Sequence, residues 1–323
     1  MKRRDFLRVI CGAAATWPLG ARAQGSSVPK VGYVYVGERR TDISGPGLRQ
    51  GLADKGYEIG RNLVLEDRYA DGNSDKVPAL IDELLALKVD VLVTVGTFAT
   101  LAARRATSSV PIVFASGDPV KTGIAASLNR PGGNATGVSI LASDYSAKWL
   151  ELMKEALPKL ARVAVLWNPE NPSVVGEVEQ LRTGARSLGL DPSLFLGRSK
   201  EIEGSFAAIA TGAFDGLVVT TDPSLESLTP RIIAFAAEHR LPTLYPFSTA
   251  VQQGGLMSYS TDFFDMWRRA ASYVDRIRKG ESPAELPIEQ ATRVALKLNL
   301  KTAKTLGLRV PPTLLARADE VIE

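Results

Sequence analysis

Cysteine and histidine are almost absent: the 323-residue chain has one of each, Cys11 and His239. A single thiol cannot form an intramolecular disulfide, and a single imidazole cannot build a histidine-rich metal site. His239 falls at the end of a predicted helix, where the helix dipole favours a cation, so it needs no chemical role. Long hydrophobic runs are missing as well. The apolar stretch at residues 9–20 is broken by Pro18 and falls short of the roughly 20 residues that a membrane-spanning helix requires. Enzyme fingerprints are also lacking. No G-x-G-x-x-G follows the first predicted strand, where Val36-Gly37-Glu38-Arg39-Arg40 carries one glycine. Neither a G-x-x-x-x-G-K-[ST] phosphate loop nor a G-x-S-x-G nucleophile elbow occurs, so an enzyme on a doubly wound scaffold is the weaker alternative.

What the N-terminus does have is a leader pattern. Lys2-Arg3-Arg4-Asp5-Phe6-Leu7-Arg8 pairs two arginines with Phe-Leu, the apolar run follows, and Ala21-Arg22-Ala23 offers small residues to a signal peptidase. The expectation is a twin-arginine-type export signal at residues 1–23, cleaved after Ala23, and a periplasmic protein. Arg8 stands where a lipobox needs Leu, so Cys11 is incidental to the signal. The leader holds Lys2, Arg3, Arg4, Arg8 and Arg22 against Asp5 alone. Removing it takes the 39 basic and 35 acidic residues of the chain to 34 of each. With no net positive field and no basic run, nucleic acid is excluded as a partner.

Beyond the leader, short runs of Val, Ile and Leu alternate with amphipathic segments, the pattern of β-α units around a parallel sheet. Residues 30–36, 62–69, 90–95, 111–115 and 135–140 read as strands, with helices at 44–55, 74–87 and 97–107. The pattern then restarts. Strands are expected at 162–167, 192–196, 216–220, 242–245 and 255–259, with helices at 173–188, 200–211, 225–240 and 247–253. A strong helix at 262–279 has Trp267, Ala271 and Val274 on one face and returns to the first half. The fold class is therefore α/β: two doubly wound parallel-sheet lobes joined by a hinge. Residues 28–142 with about 262–285 form lobe 1, and 143–261 with about 286–323 form lobe 2.

Several phrases then carry a family resemblance. Arg49-Gln50-Gly51-Leu52, Gly56-Tyr57-Glu58-Ile59-Gly60-Arg61-Asn62, Gly117-Asp118-Pro119-Val120, Asn129-Arg130-Pro131-Gly132-Gly133-Asn134 and the closing Arg317-Ala318-Asp319-Glu320-Val321-Ile322 resemble the ABC-transporter substrate-binding proteins of the tryptophan/tyrosine-type family. The resemblance spans nearly the whole chain after the leader. It implies a type I periplasmic-binding-protein clamshell, no catalysis, no cofactor, a monomer, and delivery of an amino acid or another small carboxylate to an inner-membrane ABC permease. A periplasmic ligand sensor is the alternative within the same clamshell. An effector domain of a transcription regulator would need a DNA-binding head, and the leader stands in its place.

Ligands of open parallel sheets sit beyond the carboxyl ends of strands, which selects the loops to inspect. After the third strand comes Gly96-Thr97-Phe98-Ala99-Thr100, where free N–H groups and the helix dipole suit an anion. Thr97, Ala99 and Thr100 are candidates there, although Thr97 can equally cap its helix. After the fourth strand, Ser116 and Asp118 face the cleft, and Asp118 either takes an ammonium or caps a helix opened by Pro119. In the second lobe the resemblance makes Asp222 an ammonium partner, with a helix cap before Pro223 as the alternative. Asn168 either spans the cleft or holds a turn with Pro169. Of the aromatic residues near strand ends, Tyr145, Tyr245 and Tyr259 are the expected apolar wall. Arg39 and Arg40 lie in the loop after the first strand, where an inward guanidinium would bind a carboxylate and an outward one would be surface charge.

Overall fold

The computed structural model describes residues 28–140 and 142–323; the leader, with Cys11, lies outside the described residues. In the first half, β1 (Lys30–Tyr35), α1 (Ser44–Asp54), β2 (Val64–Tyr69), α2 (Val77–Ala86), β3 (Val91–Val95), α3 (Thr97–Ala106), β4 (Ile112–Gly117) and β5 (Ala135–Ile140) follow one another. The chain then enters α4 (Ala142–Ala156), β6 (Arg162–Trp167), α5 (Pro172–Ser187), β7 (Asp191–Leu196), α6 (Ile202–Thr211), β8 (Gly216–Val219), α7 (Pro223–Glu238), β9 (Thr243–Tyr245), α8 (Thr249–Gln252) and β10 (Met257–Thr261). It closes with α9 (Phe263–Arg278), β11 (Glu289–Ala291), β12 (Val294–Asn299), α10 (Leu300–Thr305), α11 (Pro312–Leu315) and β13 (Glu320–Ile322).

These strands make two sheets. The first has the order β11-β5-β4-β3-β1-β2, the second β13-β12-β10-β9-β8-β6-β7. All pairings are parallel except β10 with β12. The central strands are apolar on both faces, as parallel strands covered by helices must be: all five residues of β3 are buried. The chain passes between lobes after β5, after β10 and again after β11. That last passage corrects the boundary expected near residue 286, because Glu289, Gln290 and Ala291 pair with Val138, Ser139 and Ile140 and so extend the first sheet. A pairing so short has no periodicity of its own to reveal it. Helix α4 has no counterpart among the elements expected from the sequence. It buries Trp149, Leu150 and Met153 and packs along α5.

Helix α9 does return to lobe 1 and lies along α1. Gly47 and Gly51 make that approach possible. A Cβ at Gly51 would stand 2.7 Å from the Cβ of Ala271, and one at Gly47 3.1 Å from the Cβ of Trp267. Absent side chains on α1 thus set Trp267, which is fully buried, at the inner end of lobe 1. The carboxyl ends of both sheets face each other across the cleft that results.

Candidate functional site

Several recesses lie between the lobes, and one of them is walled by several aromatic side chains as well as polar ones. Lobe 1 contributes Ser44 at the start of α1, Gly96 and Thr97 at the start of α3, Gly117 and Asp118 after β4, and Trp267. Lobe 2 contributes Asn171, Ser173 and Glu177 from the β6–α5 region, then Thr221 and Glu226 around the start of α7. Phe247 and Phe263 close it with aromatic surface, their ring centroids 5.2 Å apart. Among the described residues that line it there is neither lysine, arginine nor histidine.

The lobes are shut on this cavity. Thr97 Oγ1 donates to Ser173 Oγ at 3.0 Å, Ile43 N–H to Glu226 Oε1 at 3.2 Å, and Glu38 N–H to Ser227 Oγ at 3.3 Å. At the rim, Ser74 Oγ donates to Glu170 Oε2 at 3.3 Å and Lys200 Nζ faces Asp75 Oδ2 at 3.5 Å. Gly117 is a contact point of closure. Its backbone lies outside the left-handed region, and the atoms nearest to a Cβ there belong to Ser173, its Cβ at 2.7 Å and its Oγ at 2.9 Å. Gly117→Val is therefore expected to leave lobe 1 folded but hold the cleft open. Apparent affinity scales with the population of the binding-competent state, so ligand binding should weaken by roughly tenfold or more. Small-angle scattering at saturating ligand should then show a larger radius of gyration than for the wild-type protein. An unchanged affinity with a compact profile would show that Ser173 moves aside.

Two carboxyl groups dominate the electrostatics. Glu177 is 1% exposed and Glu226 5%. Burial, with the charge of Asp222 adding to it and the Thr221 hydrogen bonds opposing it, pushes the Glu177 carboxyl up to about 8. Its Oε1 accepts the Thr221 N–H at 2.9 Å. Burial and the charge of Asp42 hold Glu226 well above the usual carboxylate range, opposed by the hydrogen bond from Ile43. A buried carboxyl without a cation beside it is costly to ionise, and a positive group placed against it would offset that cost. Ser44 Oγ and Trp267 Nε1 are also buried, and neither has a hydrogen-bond partner among the described residues.

Of the residues expected from the sequence, Thr97 and Asp118 line this cavity. Gly96, not Thr97, is the N-cap of α3, at φ +89°. That frees the Thr97 hydroxyl to share a hydrogen bond with Ser116 Oγ at 2.8 Å, so Ser116 stands just behind the wall. Asp118 takes its own turn's Lys121 N–H at 3.1 Å and starts no helix. Ala99 and Thr100 do not reach the cavity. Ala99 is in the lobe 1 core, and Thr100 Oγ1 donates back to the Gly96 carbonyl at 2.8 Å.

Asp222 is the N-cap of α7 and does not line this cavity; with Asn168 it lines a neighbouring recess between the lobes. Its oxygens take Ser224 N–H at 2.8 Å, Asn171 Nδ2 at 2.8 Å and Asn168 Nδ2 at 3.3 Å. Asn168 is thereby tied within lobe 2 and faces the rim recess beside Glu170 and Arg198. Tyr245 belongs to the lobe 2 core. Tyr145 and Tyr259 pack edge to face at 6.0 Å, and the Tyr259 carbonyl accepts Trp149 Nε1–H at 2.7 Å, so both brace the hinge. Arg39 lies over the Tyr69 ring at 4.6 Å and pairs with Asp67 at 3.4 Å, while Arg40 pairs with Glu38. Both side chains are largely exposed, and neither lines the cavity.

Sequence reasoning missed Glu177, Glu226, Ser173, Ser44, Phe263 and Trp267 as site residues. For Glu177 a signal was available. Val174, Val178, Leu181 and Ala185 are the buried stripe of α5, and residue 177 falls inside that stripe, where a solvated acid does not belong.

Two α/β lobes closed over an internal polar and aromatic cavity define a bilobal ligand-binding protein. The chain belongs to the ABC transporter substrate binding protein family, whose model matches residues 34–322. Members of this family are substrate-binding proteins and not enzymes. The chain is 26% identical over 272 residues to a tyrosine-binding protein of Clostridioides difficile (strain R20291), covering 83% of this chain and 77% of that one. A solved conserved domain protein from Vibrio cholerae O1 biovar eltor has a TM-score of 0.85 at 30% identity, covering 91% of this chain and 100% of that chain. An ABC domain from Streptococcus pneumonia in complex with L-Trp has a TM-score of 0.83 at 26% identity, with 92% and 100% covered. The type I clamshell expected from the sequence is the fold that these structures share with the chain.

Proposed function

We propose that the protein captures an amino acid with an apolar or aromatic side chain between its lobes and presents the closed form to an ABC permease. The observation that carries this reading is the cavity itself, where the buried carboxyls of Glu177 and Glu226 lie beside Phe247, Phe263 and Trp267 with no basic residue in the lining. Buried carboxyls without a cationic partner ask for an ammonium group, and the rings ask for an apolar body. Simple aliphatic or aromatic carboxylates, which bring only negative charge, fit this lining poorly. The relatives named as tyrosine-binding and complexed with L-Trp support the same class. In this reading residues 1–23 are the twin-arginine-type leader, cut after Ala23, and the mature protein works in the periplasm as a monomer. Ligand arrives on one lobe, the other closes, and binding energy above the hinge cost holds the closed state.

The test is a thermal-shift screen of the protein from Gln24 onward against the twenty amino acids, aromatic and aliphatic carboxylates, nucleosides and sugars. A ligand at 100 times its dissociation constant stabilises the fold by about 2.7 kcal/mol. The largest shifts are expected from aromatic amino acids. Shifts confined to carboxylates or sugars, or a flat screen of ligand-free protein, would overturn the reading.

A further inference from the structure

We infer that the lobes carry a latch of their own, apart from the ligand cavity: Ser227 on α7 of lobe 2 seats on Gly37, Glu38 and Thr41 of lobe 1 and draws the cleft shut whatever small molecule it holds. The inference goes beyond the proposed function, because the latch touches no ligand.

At the carboxyl ends of β1, β3 and β4, lobe 1 turns a glycine toward lobe 2: Gly37, Gly96 and Gly117. A Cβ at Gly37 would stand 2.1 Å from Ser227 Oγ, one at Gly96 2.9 Å from Pro223 Cγ, and one at Gly117 2.7 Å from Ser173 Cβ. The last two seats are built from residues that line the cavity, so they are shared with its occupant. The first is not. Gly37, Glu38, Thr41 and Ser227 line neither the cavity nor the two recesses beside it, yet Gly37 is buried and Ser227 is 8% exposed. A Cβ at Gly37 would also stand 2.5 Å from Tyr35 Cε1, so the missing side chain leaves room for the Tyr35 ring as well as for Ser227.

Ser227 Oγ donates to the Pro223 carbonyl of its own helix at 3.2 Å. A hydroxyl has one hydrogen and two lone pairs, so its acceptor side is left for lobe 1, where it takes the Glu38 N–H and the Thr41 hydroxyl, each at 3.3 Å. In the open form these groups return to water, so the net gain from each bond is small. A latch of that strength biases the closing equilibrium without freezing it. Apparent affinity is the affinity of the closed form scaled by the fraction of protein that is closed. Loosening the latch therefore weakens every ligand by one common factor, whereas the loss of a ligand contact weakens different ligands differently.

The test is calorimetric titration of the wild-type protein, Ser227→Ala and Ser227→Leu with tryptophan, tyrosine and phenylalanine, together with small-angle scattering of the three ligand-free proteins. Ser227→Ala removes both bonds across the cleft and should weaken every amino acid that binds by the same factor, roughly three- to tenfold. Ser227→Leu suits a helix at least as well as Ser, but its branched side chain runs into Gly37, where the closed form has no room. It should weaken the same amino acids by roughly 30-fold and enlarge the radius of gyration of the ligand-free protein. Factors that differ by more than about threefold between amino acids, a Ser227→Leu affinity within about threefold of wild type, or identical ligand-free scattering would overturn the latch. If none of the three amino acids binds the wild-type protein, the proposed function falls, and the scattering comparison alone decides the latch.

Discussion

Replacing Glu177 by Gln is expected to weaken binding of an ammonium-bearing ligand by about 30- to 1,000-fold, while the ligand-free protein stays as stable as before or gains stability. Truncating one partner of a buried charge pair costs about 2–5 kcal/mol, and each 1.4 kcal/mol is tenfold in affinity. Gln keeps an oxygen for the Thr221 N–H, now at 2.9 Å from Oε1, so the lower part of that range applies. The effect on stability runs the other way. Glu177 is buried beside Asp222 with no cation in the cavity lining, and an ionised carboxyl in that position opposes folding. A neutral amide of the same shape removes the penalty. This is the trade between stability and function that binding sites carry. Calorimetric titration and thermal unfolding of the two proteins measure both halves. An affinity within threefold of wild type would remove Glu177 from the ligand contact, and a clear loss of stability would make it a structural residue instead.

The architecture was legible because each parallel strand is a dense apolar run and each covering helix has a stripe. Val91–Val95 needs no tertiary context to be read as a central strand, and α9 announces its buried face through Trp267, Ala271 and Val274. The last hinge passage was expected, but its position was not legible, since Glu289–Ala291 owes its place to pairing with β5 and to nothing local. The site was legible to the level of the loop but not of the side chain. The rule that ligands sit beyond strand ends led to Gly96-Thr97 and to Asp118, which line the cavity. It cannot decide whether an Asp before a Pro caps a helix or faces a ligand. In Asp222 the two asparagines, Asn168 and Asn171, decided for the cap, and they come together only through the fold. Glu177 and Glu226 stand on helices, where an acid ordinarily reads as solvent-facing. Lobe closure contributes to their burial, as the contact of Glu226 with Ile43 across the cleft shows.

Acidification is expected to stabilise the empty protein and weaken its hold on the ligand. The Glu177 carboxyl is raised to about 8 in the folded chain from its ordinary value of 4.5. Between those two pH values the unfolded chain has already lost the proton that the folded chain keeps. Stability therefore falls as pH rises across that window, is fully present below it, and is fully lost above about 8. At 1.36 kcal/mol per unit, Glu177 alone accounts for a change on the order of 5 kcal/mol. Glu226, Asp222 and Asp42 are raised by burial too and act in the same direction. A bound ammonium reverses the preference, because it favours the ionised carboxyl. Binding must then expel a proton below pH 8, and affinity should rise with pH by up to about tenfold per unit until Glu177 is ionised in the empty protein. Melting temperatures of the ligand-free protein from pH 5 to 8, with titrations in buffers of different ionisation enthalpy, measure both slopes. A melting temperature that rises with pH would show that these carboxyls are already ionised in the empty cleft, and binding that takes up protons would show that their partner is not a cation.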